Sequence, residues 1–196
     1  MAIAVVAANV PACTRMERLG VTDSKRFGAS AKAKAKRAEL AHEIRSTVSQ
    51  YAVRLVDVRT IDEHTFRGQL NQLERDVVAD MLAALETRPR SRIVCDGQKI
   101  FAPLRRQFPA LEAVNDGESV HITVAAASIL AKHARDEAFA AIAAKYELEF
   151  GPIRGGGYLN AATRAFLDEY AARRGGELPP EARRSWGADK QRASSP

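Results

Sequence analysis

Two acids have positions that could do chemistry. Asp96 closes the β-prone run Arg92-Ile93-Val94-Cys95 and precedes Gly97. A glycine there lets the backbone turn away and leaves the carboxylate at a sheet edge. In open α/β sheets ligands bind at such strand ends, although Asp-Gly is also ordinary turn chemistry. Asp136 belongs to a helical stripe in which Ile122, Ala126, Ile129, His133 and Asp136 recur at steps of four, three, four and three. Its carboxylate therefore shares the face that packs inward. A buried acid is costly unless it is paired or holds a metal. Lys132 and Arg135 offer a salt bridge, and a hard divalent cation is the functional alternative. His133 reads as a core or rim histidine rather than a ligand.

Other features carry less. The basic run from Lys32 to Arg37 reads as a solvated helix face that could touch phosphates, as could Arg183, Arg184, Lys190 and Arg192. Gly155-Gly156-Gly157 before Tyr158 permits close backbone approach to a ligand or a flexible turn. No Gly-Lys-Ser/Thr follows it, so it is not a P-loop. Cys13 and Cys95 lie far apart with no second ligand nearby, which supports neither a zinc site nor a disulfide framework. With no Cys/His pair and no nucleophile elbow, covalent catalysis is disfavoured.

The 196 residues that must position these groups are 46% hydrophobic and 28% charged, enough for one domain with a core. Disorder, collagen and disulfide-scaffold classes are excluded. Thirty Lys and Arg against 24 Asp and Glu leave a net charge of +6, which permits a polyanion partner without requiring one. No apolar run approaches the roughly 20 residues of a membrane span, so no membrane partner is expected, and the lack of a disulfide framework points to a cytoplasmic location.

Periodicity predicts strands at residues 2–8, 51–58, 92–95 and 111–114. Helices are expected at 31–50, with Ser30 as N-cap, at 66–85, at 120–146 and at 161–173. Pro11 is expected to end the first strand, Asn115-Asp116-Gly117 to turn, residues 150–157 to loop, and the end from Pro179 to be loosely held. Alternating strands and helices specify α/β.

Together these stretches resemble the type 2 ribonucleases H, the ribonuclease HII and HIII family. Leu19-Gly20-Val21-Thr22-Asp23-Ser24-Lys25 is similar to the family's Asp-Ser-Lys loop, and Arg92 to Gly97 to the strand bearing its third acid. His121 to Lys132, with Arg135-Asp136, is similar to its Ala-Ala-Ala-Ser-Ile helix and fourth acid. Gly157-Tyr158, Thr163-Arg164-Ala165-Phe166-Leu167 and Arg183-Arg184-Ser185-Trp186 follow in the family's order. The resemblance spans nearly the whole chain and leans to the HII branch, with a trace of HIII in Glu118-Ser119-Val120-His121.

The resemblance implies a ribonuclease H-like mixed sheet flanked by helices, with a C-terminal helical extension. Residues 1–178 would form the catalytic domain and residues 179–196 a basic tail. It implies an endonuclease that cuts the RNA strand of RNA/DNA hybrids, or ribonucleotide-containing duplex DNA, as a monomer. The chemistry would be two-metal phosphodiester hydrolysis with Mg²⁺ or Mn²⁺, cations that take oxygen ligands. Asp96 and Asp136 would be metal ligands, Lys25 and Ser128 would meet phosphate, and Tyr158 would stack on a sugar.

One departure matters. The family's first strand carries an Asp-Glu pair followed by Gly-Arg-Gly or Gly-Lys-Gly, which supplies the other two ligands. This sequence has no such motif, and residues 1–12 look like the family's next strand. A central strand's absence would leave hydrogen-bonding edges beside an apolar core. Either the true start lies upstream and the longer protein is active, or the chain is a catalytically inactive, nucleic-acid-binding remnant.

Overall fold

The computed structural model describes residues 1–28, 30–85 and 91–186, with the backbone alone at Lys25 and Arg26. Pro89, Lys190 and Arg192 lie outside the described residues.

The small apolar run at the start forms β1 (Ala2–Ala7), which pairs antiparallel with β2 (Gln50–Leu55) from Ala2↔Leu55 to Ala7↔Gln50. β3 (Ile93–Asp96) pairs parallel with β4 (Leu111–Val114), from Ile93↔Leu111 to Asp96↔Val114. The α/β class therefore holds, with both kinds of pairing, in two two-stranded sheets. The expected cover on both faces of β1 is incomplete, since Val5 alone of its residues is buried.

Pro11 does not simply end a strand. It sits in the first turn of α1 (Val10–Arg18), where its missing N–H costs nothing. Asn9 caps that helix by accepting the Ala12 N–H at 3.0 Å. α2 (Ala31–Thr47) starts as expected, with Ser30 accepting from Ala33 N at 3.1 Å, and it buries Leu40 and Ile44. Its basic run is not wholly solvated: Arg37 is buried and donates to Gly28 O at 2.8 Å.

The helix expected at 66–85 is two helices, α3 (Val58–Phe66) and α4 (Leu70–Ala83). Gly68, at φ +69°, breaks the periodic stripe between them. Asp57 stops the second strand early by capping α3 through Thr60 N at 2.9 Å. After β3 come α5 (Gln98–Phe101), a 3₁₀ turn at Ala102–Arg106, β4, α6 (Gly117–Val120) and α7 (Ile122–Phe150). α7 outruns its expected end at 146, so the following loop covers residues 151–160, before α8 (Ala161–Arg173).

The chain forms two compact units. One comprises Ala2–Leu55 and Asn71–Ala134; the other comprises Met1, Val56–Leu70 and Arg135–Pro196. In the first, Met16, Leu40, Ile44, Ala126, Ile129 and Leu130 are almost fully buried in one cluster against Ala4 and Val6 of β1. The second is built on aromatic packing, with Tyr146 and Phe166 at 5.5 Å and Phe150 stacked on Tyr170 at 5.5 Å.

The second unit also pins down the stretch from Pro179 to Trp186, which was expected to be loose. The buried Asp62 carboxylate accepts Arg184 N at 2.7 Å, and Ser185 N and Oγ at 3.2 and 2.6 Å. Arg183 stands 3.9 Å from the same carboxylate, and Ser185 is 1% exposed. A sequence reading counts basic residues there but cannot see the acid 120 positions away that orders them. Among the described residues no helix is long and apolar enough to cross a membrane.

Candidate functional site

Asp96 reaches its place through the β3–β4 pair. The strand ends at the acid, Gly97 turns at φ +117°, and Gly97 N donates to Val114 O at 2.7 Å. The Asn115-Asp116-Gly117 turn then returns the chain, with Asp116 in the left-handed region at φ 55°. Gly117 N donates to Asp96 Oδ1 at 3.1 Å. A Cβ on Gly117 would stand 3.3 Å from Asp96 Cβ and 3.1 Å from Val114, so the close approach favours glycine. Glu118 is the residue that follows this clip.

Glu118 is the residue the sequence reading left aside. Its side chain is 12% exposed, and its Oε2 accepts Ser24 Oγ at 2.7 Å. Ser24 Oγ lies 3.0 Å from Ser128 Oγ, Lys132 Nζ donates to Ser24 Oγ, and the same ammonium is 3.8 Å from Glu118. Ser24, which is buried, thus links Glu118, Ser128 and Lys132 in one partly buried polar network. It joins the loop before the Ser24–Phe27 turn to the start of α7. Ser128 was expected to meet a phosphate; here its hydroxyl is engaged with Ser24. The one available signal was an acid immediately following the turn glycine, on the same return that clips Asp96.

Asp96, Glu118 and Ser128 line a common cavity of about 820 Å³ in the first unit. Burial pushes the neighbouring Cys95 thiol up to about 11, which keeps it protonated and unreactive at neutral pH.

Asp136 belongs to the second unit. Its side chain is 9% exposed, and its Oδ1 accepts Arg135 Nη2 at 2.9 Å. The same guanidinium donates to Tyr158 OH and lies 4.7 Å from that ring's centroid. The loop holds Tyr158 with three glycines at φ +118°, +64° and +78°. A Cβ on Gly155 would collide with Thr163 Oγ1 at 2.1 Å, so this turn is built rather than merely flexible. Tyr158 itself is 57% exposed. Lys25 lies in the 3₁₀ turn Ser24–Phe27; its side chain is outside the described residues. Within the first unit Asp96 and Ser128 line one cavity, and within the second Arg135 links Asp136 to Tyr158.

Among the described residues no group of three or more His, Cys, Asp or Glu side chains is arranged to hold a metal ion. Asp96 and Glu118, which line the same cavity, provide carboxylate oxygens suited to a hard cation, which would fill its remaining positions from water or phosphate. They fit an open site, not a closed cage.

The ribonuclease HII family model matches residues 1–188. The chain belongs to the ribonuclease HII family. Ribonuclease HII of Thermococcus sibiricus is 32% identical over 194 residues, covering 95% of this chain and 81% of that protein. Ribonuclease HII of Pelodictyon phaeoclathratiforme is 36% identical over 171 residues, covering 86% and 72%. The fold matches the ribonuclease H2 structure from Pyrococcus horikoshii at TM-score 0.74 and 23% identity, over 97% of this chain and 96% of that one. A PCNA:ribonuclease HII complex from Archaeoglobus fulgidus also matches at 0.74, with 24% identity over 95% and 86%. The chain is thus of the ribonuclease H type, a hydrolase by family, with the helix-flanked α/β fold its sequence led us to expect.

Proposed function

We propose that this chain is a metal-dependent endonuclease that hydrolyses the RNA strand of RNA/DNA hybrids. Asp96 and Glu118 are its principal cation-binding acids. The supporting observation is that Asp96, which accepts Gly117 N, and Glu118 are both among the residues that line one cavity. A backbone N–H partner leaves the Asp96 charge uncompensated, and a cation can answer it. The Mn²⁺ complex of a ribonuclease HIII, which matches this fold at TM-score 0.61, agrees with that chemistry. Bound Mg²⁺ or Mn²⁺ would supply Lewis-acid activation of water and neutralise charge at the scissile phosphate.

The protein's own residues do the rest. Asp96 and Glu118 hold the cation. Ser24 and Lys132 fix the Glu118 carboxylate, so that it need not reorganise when the cation arrives. Lys25 and the α2 lysines face the polyanion through charge. Tyr158, held by Arg135 and the glycine turn, offers an exposed ring for a sugar or base of a hybrid or ribonucleotide-containing duplex. We assign Asp136 to that second group, as the acid that positions Arg135, rather than to the cation.

The lack of a three-acid cluster among the described residues favours a second reading, a nucleic-acid-binding remnant without cleavage. One experiment separates them. Mn²⁺ titration by calorimetry, followed by cleavage of a labelled hybrid, should give binding and product in the wild type and neither in Asp96→Asn. Salt-dependent hybrid binding in EDTA, with no cleavage in Mn²⁺, would leave the remnant reading standing.

A further inference from the structure

Asn160 does more than begin a helix. Its Oδ1 accepts Thr163 N at 3.1 Å and so caps α8. Its Nδ2 donates to Gly155 O at 2.9 Å, which ties the start of the glycine turn to the same helix. Among the usual capping residues only asparagine carries a separate acceptor and donor on one planar side chain. Little freedom is left to the residue in between. Tyr158 N donates to Gly155 O at 3.3 Å, and Asn160 N donates to Tyr158 O at 2.9 Å. Tyr158 is therefore held through its backbone by the start of α8 and through its hydroxyl by Arg135 of α7. All of these residues belong to the second unit.

The close approach of this turn to α8 is held against a cost. Thr163 is 7% exposed, and its Oγ1 finds no hydrogen-bond partner among the described residues. It lies against Gly155, where any Cβ would collide with it. A buried hydroxyl without a partner is unfavourable, and a turn lifted from the helix would relieve it by admitting water. The turn stays down, and the Asn160 amide is the side chain that spans the two. A helix cap alone has no need of that second bond. An exposed ring that meets a ligand does, because motion removed beforehand is not lost again on binding.

We propose that Asn160 is a positioning residue: its amide holds the Gly155–Tyr158 turn on α8 and so presents the Tyr158 ring to the nucleic acid. The proposal rests on the reading above that Tyr158 meets the hybrid. It gives Asn160 no contact with substrate, so every effect of Asn160 on the hybrid passes through Tyr158.

The test uses the full chain in EDTA, so that affinity is read without cleavage. Asn160→Ser and Asn160→Asp both keep a capping oxygen and lose the donor to Gly155, and only the second adds charge. Each should weaken binding of a fluorescein-labelled RNA/DNA hybrid about fivefold by anisotropy, with helix content by circular dichroism unchanged. Tyr158→Ala should weaken it about tenfold. In the Tyr158→Ala background Asn160→Ser should cost less than about twofold, since its route to the hybrid is gone. Fluorine NMR on chain carrying fluorotyrosine, with the Tyr158 resonance assigned through Tyr158→Phe, reads the positioning without nucleic acid. That resonance should shift and sharpen in both Asn160 variants. An unmoved resonance, or losses that simply add in the double variant, would overturn the proposal while leaving the reading of Tyr158 intact. Wild-type affinity in Tyr158→Ala, seen with Asn160 untouched, would overturn that reading and the proposal with it.

Discussion

Asp96 and Asp136 are both carboxylates on the inward side of a regular element, yet they keep different company. Asp96 accepts a backbone N–H and lines a cavity to which Glu118 also contributes. Asp136 accepts a guanidinium that also holds an exposed tyrosine. A neutral donor orients a carboxylate without cancelling its charge, whereas an arginine cancels it. Under the proposed function the first arrangement holds a cation and the second positions an exposed ring. Position on a stripe or at a strand end does not record which partner a carboxylate meets.

The sharpest attack on this contrast is to neutralise each acid. Asp96→Asn should abolish Mn²⁺ binding and lower hybrid cleavage about a thousandfold, about 4 kcal/mol of transition-state stabilisation. Asp136→Asn should leave Mn²⁺ affinity unchanged and lower activity about tenfold or less, through loss of Arg135 positioning. Calorimetry on both variants reads the difference directly. Equal loss of Mn²⁺ binding in the two would erase the contrast and restore Asp136 as a ligand.

Asp62 extends the comparison to an acid with a purely structural task. Its carboxylate takes three donors from residues 184 and 185 and lies beside Arg183. Removing one partner of such a buried group leaves the others unsatisfied. Asp62→Ala should cost about 3 kcal/mol in denaturant unfolding, with Mn²⁺ affinity retained by the folded fraction.

Glu118→Gln probes the other half of the Asp96 wall. Amide for carboxylate keeps the shape and an acceptor for Ser24 while removing the charge. Mn²⁺ affinity should drop about ten- to a hundredfold, since one of two anionic donors is lost. A variant with wild-type affinity would move Glu118 from cation binding to the purely structural network with Ser24 and Lys132.

These contrasts also show how far the sequence reaches. Local signals were readable: Ser30 capping α2, Gly97 turning after Asp96, the Asn115-Asp116-Gly117 turn, and the stripe that buries Ala126 and Ile129 all appear where chemistry and periodicity put them. Pairings over long separations were not readable. Glu118 meets Ser24 across 94 positions, and Asp62 meets Ser185 across 123; no local pattern records either. Gly68 shows a third limit. The apolar stripe from Phe66 to Leu85 continues through it, yet its left-handed backbone divides the helix, because periodicity counts side chains and not backbone strain.

The smallest effect is a pH dependence that tests whether the Asp96 wall is dry. The folded Cys95 thiol ionises near 11 and the ordinary thiol at 9.0, because burial penalises the thiolate. A raised acid pKa means that the unfolded chain loses its proton first. The Cys95 contribution to stability is therefore complete below pH 9 and is lost as pH rises toward 11. Wild type should lose roughly 1–2 kcal/mol more than Cys95→Ser across that window, measured by urea unfolding at fixed ionic strength. Subtracting the variant removes the tyrosine and lysine titrations common to both. Parallel curves would mean that water reaches Cys95, and a wet wall would weaken the case that Asp96 and Glu118 act on a cation in a low-dielectric setting.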